Sequence, residues 1–162
     1  MTSTVQTRRS LLIGAGTSGL ALAGGLIVPA QARDAYAPTQ TMRGGSNNYR
    51  PNAPLVDNLG TGFLVYGTVL RAGTGEPLAD TRIQIWAATT RGGERHPGNH
   101  GSVMTDANGR YQLEMVQIVP NFGQPHGHLA YDDPEFQTVF LRPVMPSASD
   151  TSLEANFVLA PA

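Results

Sequence analysis

Phe63-Leu64-Val65-Tyr66-Gly67-Thr68-Val69 is the stretch on which the fold turns. β-Branched and aromatic side chains run through it without helical spacing, and Ala72-Gly73-Thr74-Gly75-Glu76-Pro77 follows as a turn. Glycine there supplies positive φ and proline fixes the exit, so a strand and then a reversal are expected. The pattern continues downstream. Thr81 to Ala87 reads as a second strand with Ile83 and Ile85 on one face. Ser102 to Thr105 and Arg110 to Met115 flank Asp106-Ala107-Asn108-Gly109, which has the composition of a tight turn, so the two runs are expected to pair as a hairpin. Phe136 to Leu141 and Ala155 to Leu159 supply further strands, and Gly127 to Tyr131 is a candidate for another. No amphipathic helix and no internal repeat interrupts them. The expectation is an all-β fold, an antiparallel β-sandwich of about seven short strands.

Bulk composition bounds the rest. With 162 residues, 40% hydrophobic and 14% charged, the chain is the size of one domain with one core. The 11 basic residues, all arginine, nearly cancel the 12 acidic ones, which argues against an electrostatic grip on nucleic acid or anionic lipid. A small neutral or anionic ligand fits this balance. There is no cysteine, so disulfides, thiolate ligands and cysteine nucleophiles are all excluded. Any metal has to be held by histidine, carboxylate or tyrosinate.

The N-terminus reads as a targeting segment. Thr7-Arg8-Arg9-Ser10-Leu11-Leu12 places paired arginines before a weakly apolar run from Leu11 to Val28, and Ala30-Gln31-Ala32 has the small-x-small form of a cleavage site. Residues 1–32 therefore resemble a twin-arginine signal peptide, which implies the twin-arginine export machinery as a partner and a periplasmic or secreted product. The run is about 18 residues, near the lower spanning limit, so a membrane anchor is the competing reading. Its glycines and the cleavage site favour removal, leaving no stable membrane span. Residues 33–60 are rich in Pro, Asn, Gly and Thr and read as an extended arm or linker on the surface of a β-sandwich metal-binding domain at 61–162. That arm is also a candidate contact with a second copy of the chain.

The residues able to carry chemistry gather in two loops, Arg91 to His100 and Pro120 to His128, which hold all 4 histidines. In extended chain, residues i and i+2 share a face, so His126 and His128 can offer two imidazoles to one ion, with Gly127 adding no bulk between them. The competing reading is a pair of solvated loop histidines. His96 and His100 are weaker candidates for the same ion, since each alone also fits a surface residue. Glu94 has three readings: ligand, general base or solvated loop acid. Tyr131 either faces the pocket as a catalytic group or closes the core. Tyr111 and Trp86 read as core.

Four stretches in order carry a resemblance. They are Gly67-Thr68-Val69, then Gly75-Glu76-Pro77-Leu78 leading to Ile83-Gln84-Ile85-Trp86, then Thr105-Asp106-Ala107-Asn108-Gly109-Arg110-Tyr111, then His126-Gly127-His128. In order and spacing, over about residues 62 to 142, they are similar to the intradiol ring-cleavage dioxygenases. The resemblance implies a β-sandwich holding non-haem ferric iron between two tyrosinates and two histidines. It also implies a catechol dianion and dioxygen as substrates, with oxygen inserted between the hydroxylated carbons. His126 and His128 match the family's histidine pair.

The tyrosine positions differ. Glu94 stands where the first tyrosine ligand is expected, and Phe122 near the second, following Pro120-Asn121. Gly123-Gln124-Pro125 replaces the arginine that precedes the histidine pair. Two histidines and one carboxylate suit non-haem iron, which is the expected ion, with manganese or zinc, or copper if a third histidine joins, as alternatives. The sequence thus points to an exported, metal-dependent, dioxygenase-like oxidoreductase acting on a small catecholic or phenolic compound, in ring cleavage or related oxidative or lytic chemistry. The alternative is a non-catalytic sandwich module that captures metal or ligand.

Overall fold

A computed structural model describes residues 35–162, and the expected twin-arginine segment and its cleavage site lie outside these residues. The described chain forms β1 (Asn58–Leu59), β2 (Phe63–Arg71), β3 (Arg82–Ala87), β4 (His100–Met104), β5 (Arg110–Met115), β6 (Pro120–Asn121), β7 (Gln124–Pro125), β8 (Gly127–Tyr131), β9 (Val139–Leu141), β10 (Ser152–Glu154) and β11 (Phe157–Leu159). One sheet has the order β1-β5-β2-β10, with β11 also on β2, and the facing sheet has the order β4-β3-β8-β9. A small hairpin, β6-β7, stands apart. The fold is the expected sandwich, with more and shorter strands. It is not wholly antiparallel, because β1, β10 and β11 pair in parallel with their neighbours.

Period-2 alternation builds the core. Phe63, Val65 and Val69 of β2 and Tyr111, Leu113 and Met115 of β5 point inward. They meet Ile83 and Ile85 of β3 and Leu129 and Tyr131 of β8 from the other sheet. Each such aliphatic or aromatic side chain, fully buried, contributes about 1.5–3 kcal/mol.

The expected hairpin between residues 102–105 and 110–115 is corrected. Asp106 does close a tight turn, its Oδ1 accepting from the Asn108 and Arg110 amides at 2.8 and 2.9 Å. The strands on either side nevertheless belong to different sheets. β4 pairs with β3, and Thr105 is tied to that side by its hydroxyl, which donates to Leu78 O at 2.6 Å and accepts from Thr81 N at 2.9 Å. β5 pairs with β2 along Phe63 to Thr68. The turn is thus a corner of the sandwich, and its composition could not distinguish the two.

The arm does more than lie on the surface. β3 and β8 are buried on both faces, one by the opposite sheet and the other by residues 45–53. Trp86 Nε1 donates to Asn47 O at 2.9 Å, Tyr49 packs edge-on against Phe140 at 5.0 Å, and Ala53 N donates to Gln84 Oε1 at 3.0 Å. Gln84 and Tyr49 both donate to Asp132. The Gly45 backbone comes so near that a Cβ there would stand 2.7 Å from Phe140 O, a separation only glycine accommodates.

Candidate metal centre

Glu94 is carried by the loop between β3 and β4, and that loop is tied internally. The Asn99 side-chain amide donates to Gly92 O and Gly93 O at 2.9 and 3.0 Å, and Thr89 Oγ1 donates to Asn99 Oδ1 at 2.8 Å. These bonds turn the Glu94 side chain inward, where it is 4% exposed. Its Oε2 accepts from Asn48 Nδ2 at 2.6 Å and its Oε1 from Asn121 Nδ2 at 2.7 Å. One donor comes from the arm and the other from β6.

His126 and His128 approach from the end of β8, on the face away from the core. The reason lies between them. Gly127 points the other way, and a Cβ there would sit 2.8 Å from Leu153 Cδ2 of the opposite sheet. Its lack of a side chain lets the strand seat against the core while both imidazoles face outward. His128 is opposed to Trp86 across the β3–β8 ladder and stacks on it at 5.1 Å, while His100 stacks on the other side at 5.9 Å.

Hydrogen bonds at the far side of each ring set the tautomer. His128 Nδ1 lies 2.9 Å from Gly45 O and His126 Nδ1 lies 2.8 Å from Gln124 O. A carbonyl only accepts, so each Nδ1 bears the hydrogen and each Nε2 turns a lone pair inward. Those lone pairs meet Glu94 Oε1, at 2.9 Å from His126 Nε2 and 3.4 Å from His128 Nε2. His128 Nε2 is buried with no hydrogen-bond partner. One ligand atom from each of the three residues lies within 4.8 Å of the others.

Three electron-pair donors thus converge on one point with no hydrogen among them, an arrangement that a cation relieves. Two imidazoles and a carboxylate suit a first-row divalent ion, and the residues fit such a metal. Burial pushes the Glu94 carboxyl up, but the Asn121 and Asn48 hydrogen bonds and the His128 and His126 rings outweigh it and hold the carboxyl below the ordinary range. Burial pushes the His128 imidazole down, past what the Gly45 carbonyl and Glu94 add back. Both shifts favour the ligating forms, anionic carboxylate and neutral imidazole.

The other candidates from sequence stand elsewhere. His100 is not in the cluster: its Nε2 is 2.6 Å from the Glu94 backbone carbonyl, so it holds the loop that presents Glu94. His96 is exposed, and its Nδ1 accepts from Gly98 N at 3.1 Å, capping a short 3-10 turn. Tyr131 belongs to the core face of β8, and its hydroxyl accepts from Phe136 N at 3.3 Å. Phe122 sits at the tip of the β6–β7 hairpin, 92% exposed, while its neighbour Asn121 reaches the carboxylate. Sequence reading missed Asn48, Asn121 and Gly45. Asparagines and glycines carry no signal of their own, although Asn121 lies one residue from Phe122, where the resemblance implies the second tyrosine ligand.

In front of the cluster a cleft of about 380 Å³ opens to solvent, lined by Asn47, Asn48, Glu94, Arg95, Phe122, His126 and Arg142. A larger groove, beside Leu55, Met104 and Gln112, has no such cluster among the described residues.

No family model and no curated protein matches the sequence. Solved structures do match. Hydroxyquinol 1,2-dioxygenase from Pseudomonas putida DLL-E4 superposes with a TM-score of 0.58 at 18% identity, over 77% of this chain and 67% of that one. 3-Chlorocatechol 1,2-dioxygenase from Rhodococcus opacus 1CP gives 0.57 at 15% identity, over 76% and 72%. The dioxygenase domain of a dioxygenase–carbohydrate-binding protein fusion from Streptomyces sp. SirexAA-E gives 0.57 at 19% identity, over 77% of this chain and 99% of that domain. The sandwich therefore has the intradiol-dioxygenase-like fold that the order of motifs implied.

Proposed function

We propose that this chain is a metal-dependent oxidoreductase acting on a small catecholic or phenolic compound, with Glu94, His126 and His128 as the protein ligands of a non-haem iron ion. The observation that carries this reading is the convergence of two Nε2 lone pairs and one carboxylate oxygen at a buried point that opens onto a cleft. Bound there, the ion would supply a Lewis-acid and redox centre for a substrate oxygen. The protein's own part is to fix both imidazole tautomers through Gly45 and Gln124, keep Glu94 ionised through Asn48 and Asn121, and leave the cleft side open.

The ligand set differs from the two-tyrosinate site that the resemblance implies. Tyr49, Tyr111 and Tyr131 have their hydroxyls engaged by Asp132, Ala155 O and Phe136 N respectively, and Tyr66 lies on the outward face of β2. A histidine–carboxylate site favours a divalent ion, with manganese, zinc or copper as competitors for it. We also read residues 1–32 as a twin-arginine export signal, which sends a folded, metal-loaded protein to the periplasm or beyond.

Metal analysis of the mature protein, an optical spectrum, and oxygen uptake against a panel of catechols test the reading. Bound iron, catechol-dependent oxygen uptake and no intense visible tyrosinate band are expected. Full metal content in the His126→Ala/His128→Ala variant would remove the site assignment. Metal without any catechol-dependent uptake would favour the non-catalytic module, which the clamping of both Glu94 oxygens by asparagine also suits.

A further inference from the structure

A row of aromatic rings leads from His128 into the arm. Trp86 is buried between two imidazoles and nearly parallel to both, at 9° and 5.1 Å from His128 and at 6° and 5.9 Å from His100. Tyr49 of the arm comes next, its ring 5.6 Å from the indole. Phe140 follows at 5.0 Å and ends the row, since a phenyl ring gives up an electron far less readily than a phenol or an indole. Two oxidisable side chains in series thus connect a proposed metal ligand with the half-buried Tyr49.

The two differ in what receives their protons. Trp86 Nε1 donates to Asn47 O at 2.9 Å, and a peptide carbonyl is too weak a base to keep that proton. An oxidised indole held there stays a cation radical and remains strongly oxidising. Tyr49 donates its hydroxyl to Asp132 Oδ2, while Gln84 Nε2 donates to Tyr49 Oη at 3.1 Å and to Asp132 Oδ1 at 2.6 Å. Gln84 therefore fixes the donor and its base together. Burial and the neighbouring Asp133 push the Asp132 carboxyl up, which makes its anion a stronger base than a free carboxylate. Tyr111 donates to a carbonyl and Tyr131 accepts from an amide, so among the described residues Tyr49 alone combines a phenol with a carboxylate.

We propose that Trp86, Tyr49 and Asp132 form a proton-coupled electron relay that carries a stray oxidising equivalent from the His128 side of the site to the arm. The inference rests on the metal-site reading only for the source of that equivalent, an oxidant of the hydroxyl-radical class formed from dioxygen. That oxidant takes one electron from Trp86 and becomes hydroxide. Tyr49 then returns one electron to the indole cation as its O–H bond breaks, and the proton forms a new O–H bond on Asp132. A neutral tyrosyl radical and a neutral carboxyl result, so no net charge is left beside the buried rings. An enediol reductant in solution then supplies one electron to Tyr49, and Asp132 gives the proton back. The site is spared oxidation of its own histidines, because Trp86 and Tyr49 both lose an electron more easily than imidazole does.

Flash oxidation of the metal-free protein tests the proposal. A ruthenium polypyridyl photo-oxidant attached to the exposed His96 removes one electron per flash, and transient absorption with freeze-trapped electron paramagnetic resonance identifies the radical. A tyrosyl radical is expected in the unsubstituted chain, forming more slowly in deuterated water and disappearing faster with ascorbate. Tyr49→Phe should lose the tyrosyl signal and leave a longer-lived tryptophan radical. Asp132→Asn keeps an acceptor oxygen for the hydroxyl but takes no proton, so it should also stop at the tryptophan radical, and Asp132→Glu should restore the tyrosyl signal. A merely structural role for Asp132 would leave the asparagine variant, with its fold intact by circular dichroism, oxidising as the parent does.

A tyrosyl signal that persists in Tyr49→Phe, an Asp132→Asn variant that forms it at the parental rate, or no tyrosyl radical in the unsubstituted chain would overturn the relay. The protein holds no metal in this measurement, so the outcome is independent of the metal analysis. Failure of that analysis would remove the proposed source of oxidant and leave the path from Trp86 to Tyr49 as measured.

Discussion

The two faces of the β4-β3-β8-β9 sheet are made from the same strands and obey different rules. Ile83, Ile85, Leu129 and Tyr131 face inward and meet the opposite sheet by shape and apolar area alone. Gln84, Trp86, His100 and His128 alternate with them and face the arm, where they are buried among hydrogen bonds and stacked rings. The contrast shows how a small sandwich carries a site: one residue parity makes the fold and the other presents chemistry. Side chains on the inner face are interchangeable with others of similar volume, whereas those on the outer face are tied to particular partners.

Substitutions can break this division, and the largest effect belongs to the inner face. Leu129→Ala should cost about 2–5 kcal/mol in denaturant unfolding while the folded fraction keeps its metal, because only packing is lost. Gly127→Ala crosses the division. Its methyl group would press on Leu153, costing about 1–3 kcal/mol and displacing both flanking histidines, so metal content should fall along with stability. Asn48→Ala and Asn121→Ala remove donors to a buried carboxylate. Each should cost about 1–3 kcal/mol and speed metal loss to a chelator, with Asn48→Ala also loosening the arm.

A smaller effect should follow pH. In metal-free protein, His128 and His100 are held neutral by burial, below the ordinary histidine value of 6.5. The unfolded chain therefore binds more protons than the folded one as pH falls past that value. Stability should be fully present above pH 6.5 and decline below it until the folded-state values are reached. Glu94, depressed from 4.5, adds a further loss at more acid pH. Thermal melts in chelator from pH 8 to 5 check this, and His128→Gln should flatten the slope. Smallest of all, Phe122→Asn should raise the unfolding free energy slightly, by about 1 kcal/mol or less in denaturant melts, because asparagine suits the turn.

What the sequence revealed follows the same division. The inner face was legible because apolar alternation is local: β2 and β3 were expected close to their observed bounds, and β8 stood as a candidate over the residues it occupies. The His-x-His pair was legible for the same reason, since two residues on one strand share a face. Glu94 was legible only through its place in the order of motifs. Asn48 lies 46 residues from the carboxylate it holds, and nothing near it in the chain says so. Gly45, 83 residues from His128, acts through a backbone carbonyl, which no side-chain pattern encodes. The Asp106 turn misled because turn chemistry is blind to whether the following strand returns beside its predecessor or crosses to the other sheet.

Trp86 is the one tryptophan of the chain, and its indole lies flat against the ring of a proposed ligand. Its emission is therefore a built-in gauge of the site. A paramagnetic ion held at His128 should quench it and a closed-shell ion such as zinc should not, so the two kinds of occupant can be told apart optically, without a label and in dilute solution.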